Sequence, residues 1–280
     1  MKDLLNIDLH THSCCSDGIL TPTALLERAA AAGVEALALT DHDTVDGLEE
    51  AAGCAARLAL RLIPGVEISA TWRAQSIHVL GLWVDPGAAS LRTALAGQAE
   101  RRRTRMRAIC ARLTRNGLPG DALLAAVEAQ PGLPTRSHLA NAMVAAGVVR
   151  DHEEAFRRHL GRGKPGHLAA NWPPLAEVLG WIREAGGTAS LAHPARYALS
   201  AGARRQLLVD FKAAGGAAIE VVTGGNAAHQ IDTCAELARQ FGFEGSIGSD
   251  FHNPQLTWNP LGRLAKLPDR VTPVWRGRGL

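Results

Sequence analysis

The feature that most constrains this chain is a recurrence: apolar runs of strand length keep ending in histidine, aspartate or glutamate. The first spans residues 7–12, Ile-Asp-Leu-His-Thr-His, followed at once by Ser16, Asp17 and Gly18. In an extended strand alternate side chains share a face, so His10 and His12 point together while Ile7, Leu9 and Thr11 serve the other side. Two imidazoles on one face suit a metal ion. Histidines near a strand end are also common as ordinary hydrogen-bonded polar groups, and what favours a metal is the rest of the chain. Residues 34–40 read as a buried strand ending in Asp41, His42 and Asp43. Glu67 lies in the run 65–69, His78 in its expected partner at 77–84, and His193 follows the strand 188–191. The last run, 245–248, leads into Ser249, Asp250, Phe251 and His252.

Helical segments lie between these runs. Thr21-Pro22 is a helix start, with threonine as N-cap and proline at the first position, and the helix runs to Gly33. Further helices are expected at 45–59, 175–185, 203–214 and 227–241, with a strand at 217–222. The β-α-β order implies parallel pairing. In a closed parallel barrel the strand C-termini gather on one rim, where residues distant in sequence converge. The nine residues His10, His12, Asp17, His42, Glu67, His78, His193, Asp250 and His252 are too many for one zinc ion. They suit two or three divalent ions, with Glu67 bridging a pair.

Residues 90–163 break this rhythm. They read as four helices, 91–116, 121–130, 136–146 and 153–160, separated by glycine and proline with no convincing strand. The division expected is a barrel from 1–89 and 164–280 carrying a helical insertion at 90–163. Aromatic residues make up only 4% of the chain, which favours small residues packing helix on sheet over a β-sandwich. A net charge of +3 is too mild for a protein that coats nucleic acid. No run reaches membrane-spanning length, and no charged region leads into an apolar stretch as in a signal peptide. Five cysteines without a CxxC pair point to reduced thiols and a cytoplasmic location. Cys14 and Cys15 sit close to His12, but carboxylates dominate the other candidates, so these thiols are expected to pack in the turn.

The signatures His10-Thr-His12, Thr40-Asp-His42-Asp43, Gly65-Val-Glu67, Ala192-His193-Pro194 and Ser249-Asp250-Phe-His252 resemble, in order and over nearly the whole chain, the polymerase and histidinol phosphatase (PHP) family. The resemblance implies an α/β fold, a distorted (βα)7 TIM-like barrel holding up to three divalent ions. It places His10, His12, Glu67 and Asp250 on one ion, Glu67, His78 and His193 on a second, and Asp17, His42 and His252 on a third. Asp41 and Asp43 are then expected to orient His42 from outside the ligand set. Manganese is the expected metal, with zinc, iron or cobalt also suited to these donors.

The short chain with its helical insertion looks most like the TrpH/YciV branch, which contains phosphatases of nucleoside 3',5'-bisphosphates and relatives that trim nucleic-acid 5' ends. Thr135-Arg136-Ser137-His138 opens a helix after Pro134, and Lys164 lies where the insertion returns to the barrel. A helix N-terminus beside an arginine is a natural phosphate cradle. Arg136, Ser137, His138 and Lys164 are therefore expected to bind substrate, with Asn226 and His229 near the rim touching base or sugar. The basic stretch Arg101, Arg102, Arg103, Arg105 and Arg107 reads mainly as a solvated helix face, with one arginine free to reach the site. Trp172 or Trp258 could stack on a base.

The expected activity is a phosphomonoesterase on a small nucleotide, removing the 3'-phosphate of a nucleoside 3',5'-bisphosphate, with Glu67, His193 and His42 central to the chemistry. Alternatives are a 5'-to-3' exonuclease on short nucleic-acid ends, a histidinol phosphatase, and a non-catalytic metal-binding module. No membrane association or obligate protein partner is expected.

Overall fold

The structure is a computed structural model that describes residues 6–169, 171–255, 259–278 and 280. Seven strands follow one another around a single sheet: β1 (Ile7–Thr11), β2 (Ala36–Leu39), β3 (Arg61–Trp72), β4 (Gln75–Leu82), β5 (Thr188–Leu191), β6 (Ala218–Thr223) and β7 (Glu244–Gly248). A parallel bridge between Thr11 and Phe251, with the His12 amide donating to the Phe251 carbonyl at 2.9 Å, nearly closes the sheet into a barrel. Pairing is parallel from β1 to β3 and from β5 to β7, while β4 runs antiparallel to both neighbours. That reversal is the distortion of the barrel.

Strand β3 is longer than its sequence suggests, for a local reason. Pro64 cannot donate to a ladder and reads as a break between two short strands. In the fold it marks a change of partner. Arg61–Pro64 pair with β2 and Gly65–Trp72 with β4, so one strand serves both halves of the barrel. Gly65 sits at the crossing, where a Cβ would lie 2.7 Å from the Thr40 methyl group.

Helix α1 (Pro22–Ala31) is capped by the Thr21 hydroxyl, which accepts from the Ala24 amide. Helix α2 (Leu48–Leu58) starts later than its sequence pattern suggests, because the Asp46 amide donates to the Thr44 hydroxyl in a turn before it. With α7 (Leu175–Glu184), α8 (Ala201–Ala213) and α9 (Ala228–Phe241), these helices cover the barrel and bury two apolar clusters. No described helix is long and apolar enough to cross a membrane.

Between β4 and α7 lie α3 (Ala89–Arg115), α4 (Gly120–Glu128), α5 (Arg136–Ala145), α6 (His152–Ala155) and a π-helical turn (Phe156–Leu160). They share an apolar cluster built on Met106, Ile109, Leu113, Leu123, Leu139, Met143 and Leu160. Helix α3 also contributes Leu91 and Leu95 to the barrel core. One unbroken helix thus ties the inserted helices to the barrel, and the boundary expected at residue 90 falls in its first turn.

Candidate active site and metal centre

The strand-end residues converge on one rim. The donor atoms of His10, His12, Glu67 and Asp250 lie within 4.8 Å of one another, as do those of His12, Asp17, His42 and His252, and those of His42, Glu67 and His78. Glu67 stands at the centre. Its Oε1 is 3.0 Å from both His78 Nδ1 and His193 Nε2, and its Oε2 is 3.3, 3.4 and 2.9 Å from His10 Nε2, His12 Nε2 and His42 Nδ1. All nine residues expected as ligands therefore meet in one place. Neither Cys14 nor Cys15 joins these groups.

The donor set fits divalent cations. Glu67 Oε2, His42 Nδ1 and Asp17 Oδ1 are buried and make no hydrogen bond, despite the short separations around them. His10 Nε2 and His12 Nε2 approach to 3.0 Å. Bare donor atoms crowded together out of water are costly unless a cation neutralises them. The electrostatics agree. Burial would raise the Glu67 carboxyl, but His42, His10 and His78 hold it well below the usual range. Burial would lower His252, yet Asp17 and Asp250 push it up to about 10. Burial and the neighbouring His252 take His12 down to about 3, which leaves it a neutral ligand.

Backbone strain accompanies the convergence. His193, Asp250 and Asp43 adopt left-handed conformations, with φ of 32°, 55° and 53°. Such conformations cost energy in residues other than glycine and persist where the surroundings impose them. The expectation that Asp41 and Asp43 orient His42 needs correction. Asp41 accepts from the Ser13 amide and from the hydroxyls of Ser13 and Ser16, holding the loop between His12 and Asp17. Asp43 is turned away toward α3, where Arg102 Nε donates to it at 2.7 Å and Gln98 at 3.0 Å.

A cavity of about 640 Å³ opens over the metal-type cluster, lined by Asp17, His42, Glu67, His78, His193, Asp250 and His252 on one side. Arg136 and Ser137 line it from the inserted helices, as do Arg102, Arg105 and Arg162, while Arg196 comes from the turn after β5. Mutual repulsion marks these cations: burial, then Arg136 and Arg102, lower Arg105 to about 10. Arg105 donates to the carbonyls of Ala169 and Leu168. No carboxylate partner is found for Arg136 or Arg162 among the described residues.

Four residues expected at the substrate do not line the cavity. His138 is buried, its Nδ1 accepting from the Thr135 amide in a capping box at the start of α5. Lys164 is exposed and outside the cavity lining. Asn226 accepts from the Thr223 amide to close a turn, and His229 is an exposed residue of α9. Sequence reasoning missed Arg162 and Arg196, which carry no motif, and placed the α3 arginines mainly in solvent. Arg102 and Arg105, three positions apart, share the inward face of α3 with Met106 and Ile109, a helical spacing that was readable. Trp172 lines the cavity, with the guanidiniums of Arg102 and Arg105 over its ring at 5.2 and 5.6 Å from the centroid. Trp258 lies outside the described residues. Glu220, fully buried beneath the rim, was also missed.

Known proteins resemble this arrangement across its length. Residues 8–143 match the PHP domain model. The chain is 40% identical over 98% of its length, and 96% of the relative's, to a Chromobacterium violaceum protein named 3',5'-nucleoside bisphosphate phosphatase. It is 41% identical, over 96% of its length and 97% of the relative's, to a Haemophilus influenzae protein named 5'-3' exoribonuclease. Among solved structures, one from Chromobacterium violaceum described as an amidohydrolase with bound sulfate superposes with a TM-score of 0.91 at 40% identity, covering 97% of this chain and 95% of that one. Another, from Bifidobacterium adolescentis and assigned as a metal-dependent phosphoesterase, gives 0.79 at 29% identity, covering 97% and 94%. The chain belongs to the PHP family.

Proposed function

We propose that this protein is a metal-dependent phosphomonoesterase that removes the 3'-phosphate of nucleoside 3',5'-bisphosphates, giving the nucleoside 5'-monophosphate and inorganic phosphate. One observation carries the reading: a single cavity has a carboxylate–imidazole cluster on one side and, on the other, Arg105, Arg136 and Arg162, for which no carboxylate partner is found among the described residues. Two separate sites for anions suit a substrate with two phosphates. The likeness to the bisphosphate phosphatase supports the same choice.

His10, His12, Glu67 and Asp250 would hold one ion, Glu67, His78 and His193 a second, and Asp17, His42 and His252 a third. Divalent ions bound there lower the pKa of water and take up charge developing on phosphorus. Arg136 and Ser137, at the N-terminus of α5, hold the 5'-phosphate through the guanidinium and the serine hydroxyl. Arg105 and Arg162 add positive potential. His193 and His42, both lining the cavity, would act on the 3'-phosphate through the ions they hold. Two fixed phosphates align the 3'-ester with the metal cluster, which raises turnover as well as capture. Manganese is the ion we assign, and the five unpaired thiols suit a cytoplasmic enzyme.

A second reading, 5'-to-3' exonuclease action, is favoured by the exoribonuclease relatives and by Arg101, Arg103 and Arg107, exposed on α3. Phosphate release from adenosine 3',5'-bisphosphate, 3'-AMP, 5'-AMP and histidinol phosphate, beside digestion of a 5'-phosphorylated oligoribonucleotide, separates the readings. The bisphosphate is expected to have the highest kcat/KM. Preference for histidinol phosphate or 5'-AMP, or digestion of the oligonucleotide alone, would reject the proposal.

A further inference from the structure

Strand β6 carries a single acid in the apolar run Ala218-Ile219-Glu220-Val221-Val222, and Glu220 is fully buried. A buried carboxyl persists only where its oxygens are satisfied. Both are. Oε1 lies 2.9 Å from His10 Nδ1, while Oε2 accepts from the His193 amide at 2.6 Å and from the Thr223 hydroxyl at 3.3 Å. A carboxyl oxygen beside Nδ1 selects the tautomer with its proton there, which leaves His10 Nε2 bare toward Glu67 and Asp250. The second contact holds the backbone of His193 at its left-handed φ of 32°. Neighbouring β7 leaves room for this: a Cβ on Gly248 would lie 2.6 Å from Glu220 Oε1 and 2.2 Å from His10 Cβ.

His10 and His193 belong to different ligand groups that meet at Glu67. We infer that Glu220 is a positioning residue that sets two ion positions together, one through the ring of His10 and the other through the backbone of His193. The inference rests on the metal-centre reading above. Glu220 does not line the cavity, so it acts through these ligands and not on substrate.

Glutamine at this position has one acceptor oxygen and one NH2 group for three donors, so either the His193 amide and Thr223 hydroxyl face another donor or His10 moves its proton to Nε2 and loses its bare ligating nitrogen. Glu220→Gln is expected to weaken Mn²⁺ binding roughly 10- to 100-fold and to reduce the ions retained per folded chain after dialysis. Glu220→Asp, which keeps two acceptors, should recover part of that loss. The measurement is free Mn²⁺ by electron paramagnetic resonance during titration of each protein, with melting temperatures of the metal-free forms alongside. A purely structural role predicts lower melting temperatures with unchanged Mn²⁺ stoichiometry and affinity per folded chain, and that result would overturn the inference. If neither variant folds, NMR of the Zn²⁺-loaded wild-type protein decides: the His10 Nδ1 proton should resonate far downfield, as one hydrogen-bonded to a carboxylate does, and a shift typical of an imidazole N–H without such a partner overturns the assignment. Wild-type protein that binds no divalent ion would sink the metal-centre reading as well, whereas Glu220→Gln matching a metal-binding wild type would sink this inference alone.

Discussion

Glu67 is the residue on which the site turns, because five imidazole nitrogens approach its two oxygens. Glu67→Gln keeps the shape of the side chain and removes the charge that two ions would share. Turnover should fall by orders of magnitude together with bound metal, measured by elemental analysis of folded protein. Wild-type metal content and turnover would contradict the bridging role. Arg136→Ala should leave metal content intact and lower kcat/KM on a bisphosphate roughly ten- to a hundredfold, since a charge-assisted contact contributes about 1.5–3 kcal/mol. Its effect on 3'-AMP, which lacks the second phosphate, should be much smaller. His252 gives a pH prediction with a definite sign. Asp17 and Asp250 outweigh burial and raise it to about 10, so the metal-free protein carries its proton at neutral pH. A ligand must shed that proton, so apparent metal affinity should rise with pH until about 10, and binding near pH 7 should release protons. Calorimetric titration in buffers of different ionisation enthalpy measures the release, and enthalpies independent of buffer would rule it out.

Among the elements, α3 does the most to join the inserted helices to the chemistry. Its Arg102 and Gln98 both bond to Asp43, the residue after His42, and Arg102 also reaches the Ser69 hydroxyl at 2.9 Å. Arg102 and Asp43 are both buried, so removing one partner strands the other. Asp43→Ala should destabilise the fold by about 3–5 kcal/mol, read as a lower denaturation midpoint. A loss below about 1 kcal/mol would mean that the pair contributes little to holding α3. Elements of this kind were legible where one period dominates. The strand at Thr188–Leu191 and the helix over α5 follow directly from the apolar pattern and the Thr135 cap. The antiparallel pairing of β4 with β3 follows from the two-residue connection between them, but its pairing with β5 has no local signal, because nothing in Gln75–Leu82 encodes the direction of β5. The role of Asp43 was equally hidden, since its left-handed backbone turns the carboxylate away from the histidine beside it in sequence.

For the molecule as a whole, most of the metal-type cluster was readable because the C-termini of parallel strands share a rim; His78 reaches that rim from near the start of β4 because β4 runs antiparallel. The opposite wall was less readable. It depends largely on how the inserted helices lie over the barrel, and that packing brought Arg102, Arg105, Arg136 and Arg162 to the cavity while leaving Lys164 out of it, with Arg196 added from the turn after β5. The central claim is that these two walls act on one substrate with two phosphates and direct cleavage to the 3'-ester. Phosphorus NMR of adenosine 3',5'-bisphosphate incubated with Mn²⁺-loaded protein tests it most directly, because the two monoester products have distinct signals. The account predicts inorganic phosphate and 5'-AMP in equal amounts, with no conversion after chelation. Accumulation of 3'-AMP, or an unchanged bisphosphate in the presence of Mn²⁺, would contradict it.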